Sequence, residues 1–468
     1  MKISRTQLLG ILLAAVSLAV MVLLVPASQA LPAPAKNTLG VLIATIVLLV
    51  TQAFPIGITC LFSVPLLYFL GCVETVPGAL SGFSNATLFF VLASFGISEA
   101  MTVCPISKRM LVVLMRRFGQ TTSKLLFAIM LVTALLSSVI SNVAAAAVFI
   151  PVIHQFLSVY DDAQARRRTA RAYMIAMPVA SMIGGMMTPA GSSINILVIS
   201  MLEKHAGATI PFVDWMLMGI PMAAVLLPLS WLVFVKVYKP APLPRQKLAD
   251  FVESTVRQLP PKMTARDVYV IVVLGAMLSL WILSSWVPRL QIAAVALVGL
   301  FALCVPGKLN VLKWEDFARS VSLEAFILLG SMISIGGVIS SSGLSAWLAA
   351  VLFPTAFTAS MPLVIAFVAA LVFVLLIPIP VAPALITMLA GPLVSFCMSI
   401  GVSPVLVMAA LGLCASQCYL LPLDTVPFLT FSTGAYGMFD MPKSTALIQL
   451  VVIALASLWL PVVGMLCF

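Results

Sequence analysis

The sequence predicts an all-α polytopic membrane protein: two inverted repeats, about eleven transmembrane helices, two re-entrant helical hairpins and two broken helices. Three observations predict this fold class. The 468 residues are 62% hydrophobic and 8% charged, with a mean hydropathy of +1.20. Lys and Arg gather in short loops between apolar segments. Polar, helix-breaking residues interrupt apolar segments at corresponding places in the two halves of the chain.

The composition excludes several classes of protein. The net charge is +11, but the basic residues flank apolar segments, as orientation signals do, so no nucleic-acid partner is expected. The eight Cys lie mostly within apolar segments, where thiols act as small hydrophobic groups. His154 and His205 lie outside any ligand constellation, which argues against a metalloenzyme.

The first apolar run extends from Leu8 to Val25 and is followed by Ser28 and Ala30. These small residues fit a signal-cleavage site, but the run has the length of a membrane span. We favour a retained helix, so residues 1–37 are predicted to be an N-terminal transmembrane helix with an external linker. Cleavage is the alternative.

The distribution of Lys and Arg predicts how the apolar segments cross the membrane. With the N-terminus in the cytoplasm, the loops that contain Arg116, Arg168 and Lys443 all fall on the cytoplasmic side of a bacterial inner membrane. The stretches 125–160 and 361–398 then enter and leave by one face, so each is predicted to be a hairpin. The predicted spans are residues 7–25, 38–54, 56–71, 86–106, 172–203, 214–237, 267–287, 290–305, 322–340, 405–435 and 445–465.

A proline-rich polar loop divides the chain. Residues 239–266 are predicted to form a cytoplasmic connector between a first repeat, 38–238, and a second repeat, 267–468. The first span of one repeat runs inward and that of the other runs outward, so the repeats are predicted to be inverted. The broken spans are 172–203 and 405–435.

Ser141 and Asn142 lie at the predicted tip of the first hairpin. Small residues follow them and allow close backbone approach. A helix starting there directs partial positive charge inward, and the Asn142 amide can accept from or donate to a solute. The alternative is a Ser/Asn pair that only joins helices.

The segment from Thr188 to Asn195 breaks the next span. Its carbonyls can coordinate Na⁺, and the helix that starts near Ser193 can receive the oxygens of an anion. Ser192, Ser193 and Asn195 supply polar side chains. The alternative is a proline kink whose freed groups are satisfied by serine hydroxyls.

Asp424 interrupts the second broken span. A carboxylate at mid-span is costly and indicates a functional site, either for a cation or for a proton. Thr425, Gln417 and Ser416 are polar neighbours in the sequence. The alternative, which does not exclude the first, is that Asp424 caps the following half-helix.

From about residue 38 to the C-terminus, the chain resembles the divalent anion/sodium symporter family of the ion-transporter superfamily. The resemblance implies an elevator-type transporter of dicarboxylates, citrate or sulfate, with the hairpins and broken helices as the mobile part, and a homodimer. It rests on Ser141-Asn142-Val143-Ala144-Ala145 with Phe149-Ile150-Pro151, on Gly184-Gly185 and Thr188-Pro189-Ala190-Gly191 with Asn195, and on Leu421-Pro422 with Thr425-Val426-Pro427.

The resemblance assigns roles to particular residues. Ser141, Asn142 and Gly191 match a sodium-binding position, and Thr425 and Val426 would face the substrate from the second half. We add Asp424 to the metal-binding residues on the argument above. Asn142, Val143, Ser192, Ser193, Asn195, Thr425 and Val426 are the predicted substrate-binding residues.

The chain departs from the family at several positions. Family members carry Ser-Asn-Thr at both hairpin tips, whereas here the first tip reads Ser-Asn-Val and the second reads Ile379-Pro380-Val381. Phe428 stands at the counterpart of Asn195, and Asp424 at that of Gly191. The resemblance therefore predicts a sodium site in the first half of the chain only.

These observations favour a secondary transporter that moves a small anion with Na⁺ or H⁺, contacts membrane lipid and has no covalent cofactor. One alternative is an anion or metalloid channel-like permease subunit driven by a partner ATPase. A polytopic membrane enzyme is disfavoured because the sequence contains no metal set, nucleophile–base pair or phosphate loop. We therefore predict that the chain is not an enzyme.

Overall fold

The computed structural model describes residues 5–260, 262–307, 310–353 and 360–467. Within these ranges the chain forms helices joined by turns and contains no β-strand, so the predicted all-helical class is confirmed. The α-helices are α1 (Arg5–Ala19), α2 (Ala33–Val50), α3 (Ile56–Phe69), α4 (Val76–Ala79), α5 (Ala86–Val103), α6 (Ile106–Phe118), α7 (Thr122–Ser137), α8 (Asn142–Leu157), α9 (Ala163–Gly185), α10 (Ser193–Ala206), α11 (Phe212–Tyr238), α12 (Arg245–Arg257), α13 (Ala265–Leu283), α14 (Ile292–Leu303), α15 (Trp314–Ser320), α16 (Leu323–Ser341), α17 (Leu344–Leu352), α18 (Met361–Leu375), α19 (Ala382–Ser399), α20 (Pro404–Ala415), α21 (Thr425–Phe431) and α22 (Pro442–Cys467).

Eight helices in the described ranges are long and apolar enough to cross a membrane. Each predicted hairpin is a pair of apolar helices, α7 with α8 and α18 with α19. Each predicted broken span is interrupted, the first between α9 and α10 and the second between α20 and α21. The inverted relation of the repeats stays a prediction.

The sequence analysis did not predict the amphipathic helices α6 and α12, which lie in polar loops. The second of these helices, α12, lies within the predicted connector 239–266. Leu248, Phe251 and Thr255 recur on one face of α12 and are buried, and the Phe251 ring lies 5.2 Å from that of Phe156. A search for span-length apolar runs misses such a helix because most of its residues are polar.

The chain forms two compact units that do not follow the sequence halves. Unit 1 comprises residues 1–91, 197–210 and 322–415, and unit 2 comprises residues 92–196, 211–321 and 416–468, so each contains parts of both predicted repeats. The first hairpin belongs to unit 2 and the second to unit 1. Within unit 1, α19 of the second hairpin packs against α16, α17 and α20. That the hairpins and broken helices move together stays a prediction.

Unit 1 has an apolar core between α2, α3, α16 and α17. Its fully or nearly fully buried side chains include Leu42, Leu67, Met332, Ile335 and Leu344. Burying a side chain of this size stabilises a fold by about 1.5–3 kcal/mol in water. Within lipid, close packing between the helices takes over that role.

Unit 2 is organised around α9, against which α7, α8, α11 and α21 pack. Asp162 caps the start of α9, accepting from the N–H groups of Gln164 and Ala165. The buried Tyr173 donates its hydroxyl hydrogen to the carbonyl of Thr122 at 2.6 Å and so fixes α9 against α7. Near the other end of α9, the Ser181 hydroxyl donates to the carbonyl of Asn142, so this end lies beside the tip of the first hairpin.

Candidate functional site

The tip of the first hairpin joins α7 to α8 and carries Ser141 and Asn142. Ser141 is the N-cap residue of α8, but its hydroxyl forms no capping hydrogen bond. Its backbone N–H donates to the Ser98 hydroxyl at 3.2 Å, which ties the tip to α5. The Ser141 side chain therefore does not bond to the N–H groups in the first turn of α8. These groups lie at the end of the helix where partial positive charge accumulates.

Two serines that the sequence analysis did not select hold Asn142 in place. The Ser137 hydroxyl donates to Asn142 Oδ1 at 2.7 Å, and the Ser181 hydroxyl donates to the backbone carbonyl of Asn142 at 2.7 Å. The two hydroxyl oxygens lie 3.1 Å apart. Serine in an apolar helix is common as packing, so the only available signal was that Ser137 lies one turn before Ser141.

The break in the first half runs from the end of α9 at Gly185 to the start of α10 at Ser193. It is mostly buried and contains one 3-10 turn, Pro189–Gly191. The Thr188 hydroxyl donates to the carbonyl of Ser138 at 2.5 Å and accepts from the N–H of Gly191 at 2.9 Å. The break is thus bonded directly to the tip of the hairpin.

Two glycines allow the break and the tip to touch. A Cβ on Gly185 would lie 2.3 Å from Asn142 Oδ1. A Cβ on Gly191 would lie 2.7 Å from the carbonyl oxygen of Gly185 and 3.0 Å from that of Ser137. Real Cβ atoms do not tolerate such approaches to backbone, so glycine is required at Gly191. The structure therefore brings the predicted metal-binding residues Asn142 and Gly191 to one place.

Asn195, in the first turn of α10, is fully buried. Its amide nitrogen donates to the carbonyls of Gly185 and Thr188, both at 2.8 Å. Both amide hydrogens are used, while the oxygen Oδ1 is buried without a hydrogen-bond partner in the described part of the chain. This geometry favours a bracing role over the predicted contact with an anion, because only an acceptor remains.

The two serines that precede Asn195 differ in their surroundings. The buried Ser192 accepts the N–H of Ile194 with its hydroxyl at 3.3 Å. Ser193 is half-buried, and no hydrogen bond of its side chain occurs within the described residues. Ser193 is consequently the hydroxyl of this pair that is available to a solute.

In the second half, α21 begins at Thr425 and packs against both α8 and α9. The half-buried Asp424 caps this helix: one carboxylate oxygen accepts from the N–H of Val426 at 3.2 Å and lies 3.4 Å from the Thr425 hydroxyl. Capping uses only that oxygen, so the other can receive a cation. Thr425 is exposed and available to a solute, whereas Val426 is buried and contributes packing.

Three further residues that the sequence analysis singled out are Asp424, Val143 and Phe428. Among the residues that the structure describes, no hydrogen bond joins Asp424 to Asn142 or Gly191, so its place in the metal-binding set stays a prediction. Val143 is 39% exposed at the tip, and Phe428, the counterpart of Asn195, is 54% exposed. An exposed aromatic ring cannot brace the second break as the Asn195 amide braces the first.

The donor set at the tip consists of neutral oxygens. It comprises the hydroxyls of Ser137 and Ser141, the amide of Asn142 and the carbonyls of the break. No group of three His, Cys, Asp or Glu in the described ranges forms a metal cluster. Unwound carbonyls and neutral oxygens suit a weakly held cation such as Na⁺, and uncapped helix N–H groups beside them suit an anion.

Comparisons with known proteins show the family to which the chain belongs. The family described as the sodium:sulfate symporter transmembrane region matches residues 6–466. The sodium-dependent dicarboxylate transporter SdcS of Staphylococcus aureus strain USA300 is 27% identical over 466 residues, which covers 94% of this chain and 87% of SdcS. The solved structure of Neisseria gonorrhoeae MtrF, presented as illuminating a class of antimetabolite efflux pumps, aligns with a TM-score of 0.56 at 14% identity, covering 95% of this chain and 97% of MtrF. The likeness to MtrF concerns the fold alone.

Proposed function

This chain belongs to the sodium:sulfate symporter family, and on that premise we propose that it is a secondary transporter that moves a small anion together with Na⁺. The family and its relatives are transporters, which confirms that the chain is not an enzyme. Membership and the eight apolar helices make it a multi-pass membrane protein. We assign it to a bacterial inner membrane with a cytoplasmic N-terminus, because the basic loops then lie inside.

One observation carries the proposal: the hairpin tip and the break meet at Asn142, Gly185 and Gly191. In our proposal Na⁺ is a cargo ion held by the Ser137 and Ser141 hydroxyls, Asn142 Oδ1 and the Gly191 carbonyl. Backbone and side-chain oxygens of this kind replace the water shell of the ion.

The anion would bind next to the cation. The free N–H groups at the start of α8 and the hydroxyls of Ser193 and Thr425 are the donors that we assign to it, with Val143 at the edge. A bound Na⁺ adds the positive charge that these neutral donors lack. Binding of either solute then raises the affinity for the other by the same factor.

We infer a dicarboxylate or sulfate-like dianion as the substrate class. The curated relative SdcS is a sodium-dependent dicarboxylate transporter, and the family description names sulfate. We also infer elevator-type alternating access and a homodimer, both from the family resemblance.

Reconstitution into proteoliposomes tests the proposal. We expect radiolabelled succinate or sulfate to accumulate when an inward Na⁺ gradient is imposed, and not when K⁺ replaces Na⁺ at the same ionic strength. A pH gradient without Na⁺ distinguishes coupling to H⁺. Uptake that responds to neither the Na⁺ gradient nor the pH gradient, and that requires an ATPase partner, would instead support a channel-like subunit.

Replacing Asp424 with asparagine tests whether its charge contributes to cation binding. Asparagine caps helices about as well as aspartate, so α21 should persist. We expect the Na⁺ concentration for half-maximal uptake to rise about tenfold, as for the loss of one charge-assisted contact. The matched control is Asp162→Asn, which alters another helix cap in unit 2, at the start of α9. If both variants have the half-maximal Na⁺ concentration of the wild type, Asp424 caps α21 and does not contribute to cation binding.

A further inference from the structure

Gln417 is a fully buried amide in the non-helical segment that precedes Asp424. Its nitrogen Nε2 donates to the backbone carbonyl of Met182 in α9 at 3.0 Å and to the Ser416 hydroxyl at 3.1 Å. One side chain thereby joins the broken segment of the second half to the last turn of the helix that ends at the first break.

A second amide holds Gln417 from the opposite side. Gln449, in α22, is 6% exposed, and its Nε2 donates to the backbone carbonyl of Gln417 at 3.3 Å. The side-chain oxygen Oε1 of Gln417 is buried and has no hydrogen-bond partner within the described residues. An unpaired buried acceptor costs about 1–3 kcal/mol, so the position is expensive for packing alone.

Met182 lies in the turn of α9 that forms one wall of the candidate site. Its neighbour Ser181 donates to the backbone carbonyl of Asn142, and Gly185, three residues later, touches Asn142 Oδ1. A shift of this turn would therefore move two contacts of Asn142 at once. The Met182 carbonyl also accepts from the N–H of Met186 at 3.2 Å, so the helical bond alone would satisfy it. The additional bond from Gln417 fixes where the turn sits.

We propose that Gln417 is a positioning residue that ties the second break to the last turn of α9 and thereby sets the Na⁺ affinity of the site around Asn142. The inference rests on the proposed function. The hairpin tip of the second half, Ile379-Pro380-Val381, carries no side-chain oxygen that could bind a cation. Through Gln417, the second half would still contribute to cation binding.

The test replaces Gln417 with methionine, which preserves volume but forms no strong hydrogen bond. In proteoliposomes at saturating anion, we expect the Na⁺ concentration for half-maximal uptake to rise about tenfold, as for one lost hydrogen bond. The maximal rate and the anion KM at saturating Na⁺ should stay within about twofold, well below that tenfold step. Gln449→Met removes only the bond from Gln449 to the carbonyl of Gln417, so it should raise the half-maximal Na⁺ concentration by less. This variant replaces Gln417→Met in the test if Gln417→Met does not fold.

Trp215→Phe is the matched control. The buried Trp215 indole N–H donates to the carbonyl of Met186 at 3.1 Å, at the same end of α9 but from the first half of the chain. We expect this variant to lose thermal stability without the tenfold change in Na⁺ dependence. If Trp215→Phe and Gln417→Met change it equally, Gln417 has only a general packing role and the inference is wrong.

A double-mutant cycle with Ser181→Ala tests whether Gln417 acts on Na⁺ binding through the turn that carries Ser181. If Gln417 acts through the turn that carries Ser181, the two substitutions should be non-additive in their effect on half-maximal Na⁺. Additive effects would overturn the inference. If uptake by the wild-type protein does not depend on Na⁺, the proposed function is wrong. If uptake by the wild-type protein depends on Na⁺ and the Gln417→Met variant shows the same half-maximal Na⁺ concentration, only this inference is wrong.

Discussion

Replacing Asn142 with alanine is expected to reduce Na⁺-dependent anion uptake by about ten- to 150-fold while the protein still folds. Asn142 Oδ1 is the acceptor of the Ser137 hydroxyl and the proposed ligand of Na⁺. Loss of a contact to a charged group costs about 1.5–3 kcal/mol, which corresponds to about ten- to 150-fold in affinity. The anion is affected as well, because it needs the bound cation.

The measurement is uptake in proteoliposomes, together with the Na⁺-induced thermal shift of the purified protein. Ser138→Ala is the control, since Ser138 lies at the same tip and its side chain bonds, among the described residues, only to the Leu135 carbonyl, at 2.7 Å. The control should keep uptake and the thermal shift. Normal uptake by a folded Asn142→Ala protein would rule out the assigned cation position.

Replacing Gly185 with alanine is expected to reduce uptake about ten- to hundredfold, by the loss of a contact to a charged group. The new Cβ would lie 2.3 Å from Asn142 Oδ1 and 2.9 Å from its Cγ and Nδ2. These are the end atoms of a side chain, so the amide can rotate away while the backbone of α9 stays in place. The substitution should therefore displace the cation ligand without unfolding the protein.

Gly275→Ala is the matched control, because Gly275 also lies within a helix and a Cβ there meets no atom of another described element within 4 Å. Alanine favours helices over glycine, so this control should keep uptake and be at least as stable as wild type. The two variants are compared by initial uptake rates across a range of Na⁺ concentrations. Equal rates for both would show that the close approach of α9 to Asn142 has no role in transport.

Many elements could be predicted from the chain alone because lipid imposes strong constraints. A backbone in hydrocarbon must satisfy its own polar groups, so apolar runs of span length have to be helices, and polar interruptions have to be breaks. The predicted spans 214–237 and 445–465 coincide closely with Phe212–Tyr238 and Pro442–Cys467. The breaks at Thr188 and Asp424 also occur where the sequence predicted them.

The surroundings of the site residues were harder to predict. Asp424 was predicted to bind a cation or to cap a helix, and only the contact with the N–H of Val426 establishes the cap. Asn195 was assigned to the substrate, yet its amide hydrogens are bonded to the carbonyls of Gly185 and Thr188. An amide side chain offers the same groups to a ligand or to its own backbone, so residue type does not decide between them.

The sequence by itself determined that this is an all-helical membrane protein with hairpins and interrupted spans, since hydropathy and helix-breaking residues act locally. Tertiary structure alone decided that Ser137 and Ser181 hold Asn142, that Gly185 and Gly191 let the break touch the tip, and that Gln417 joins a distant break to α9. These contacts link residues up to 235 positions apart. Helix packing, not any local pattern, brings such residues together.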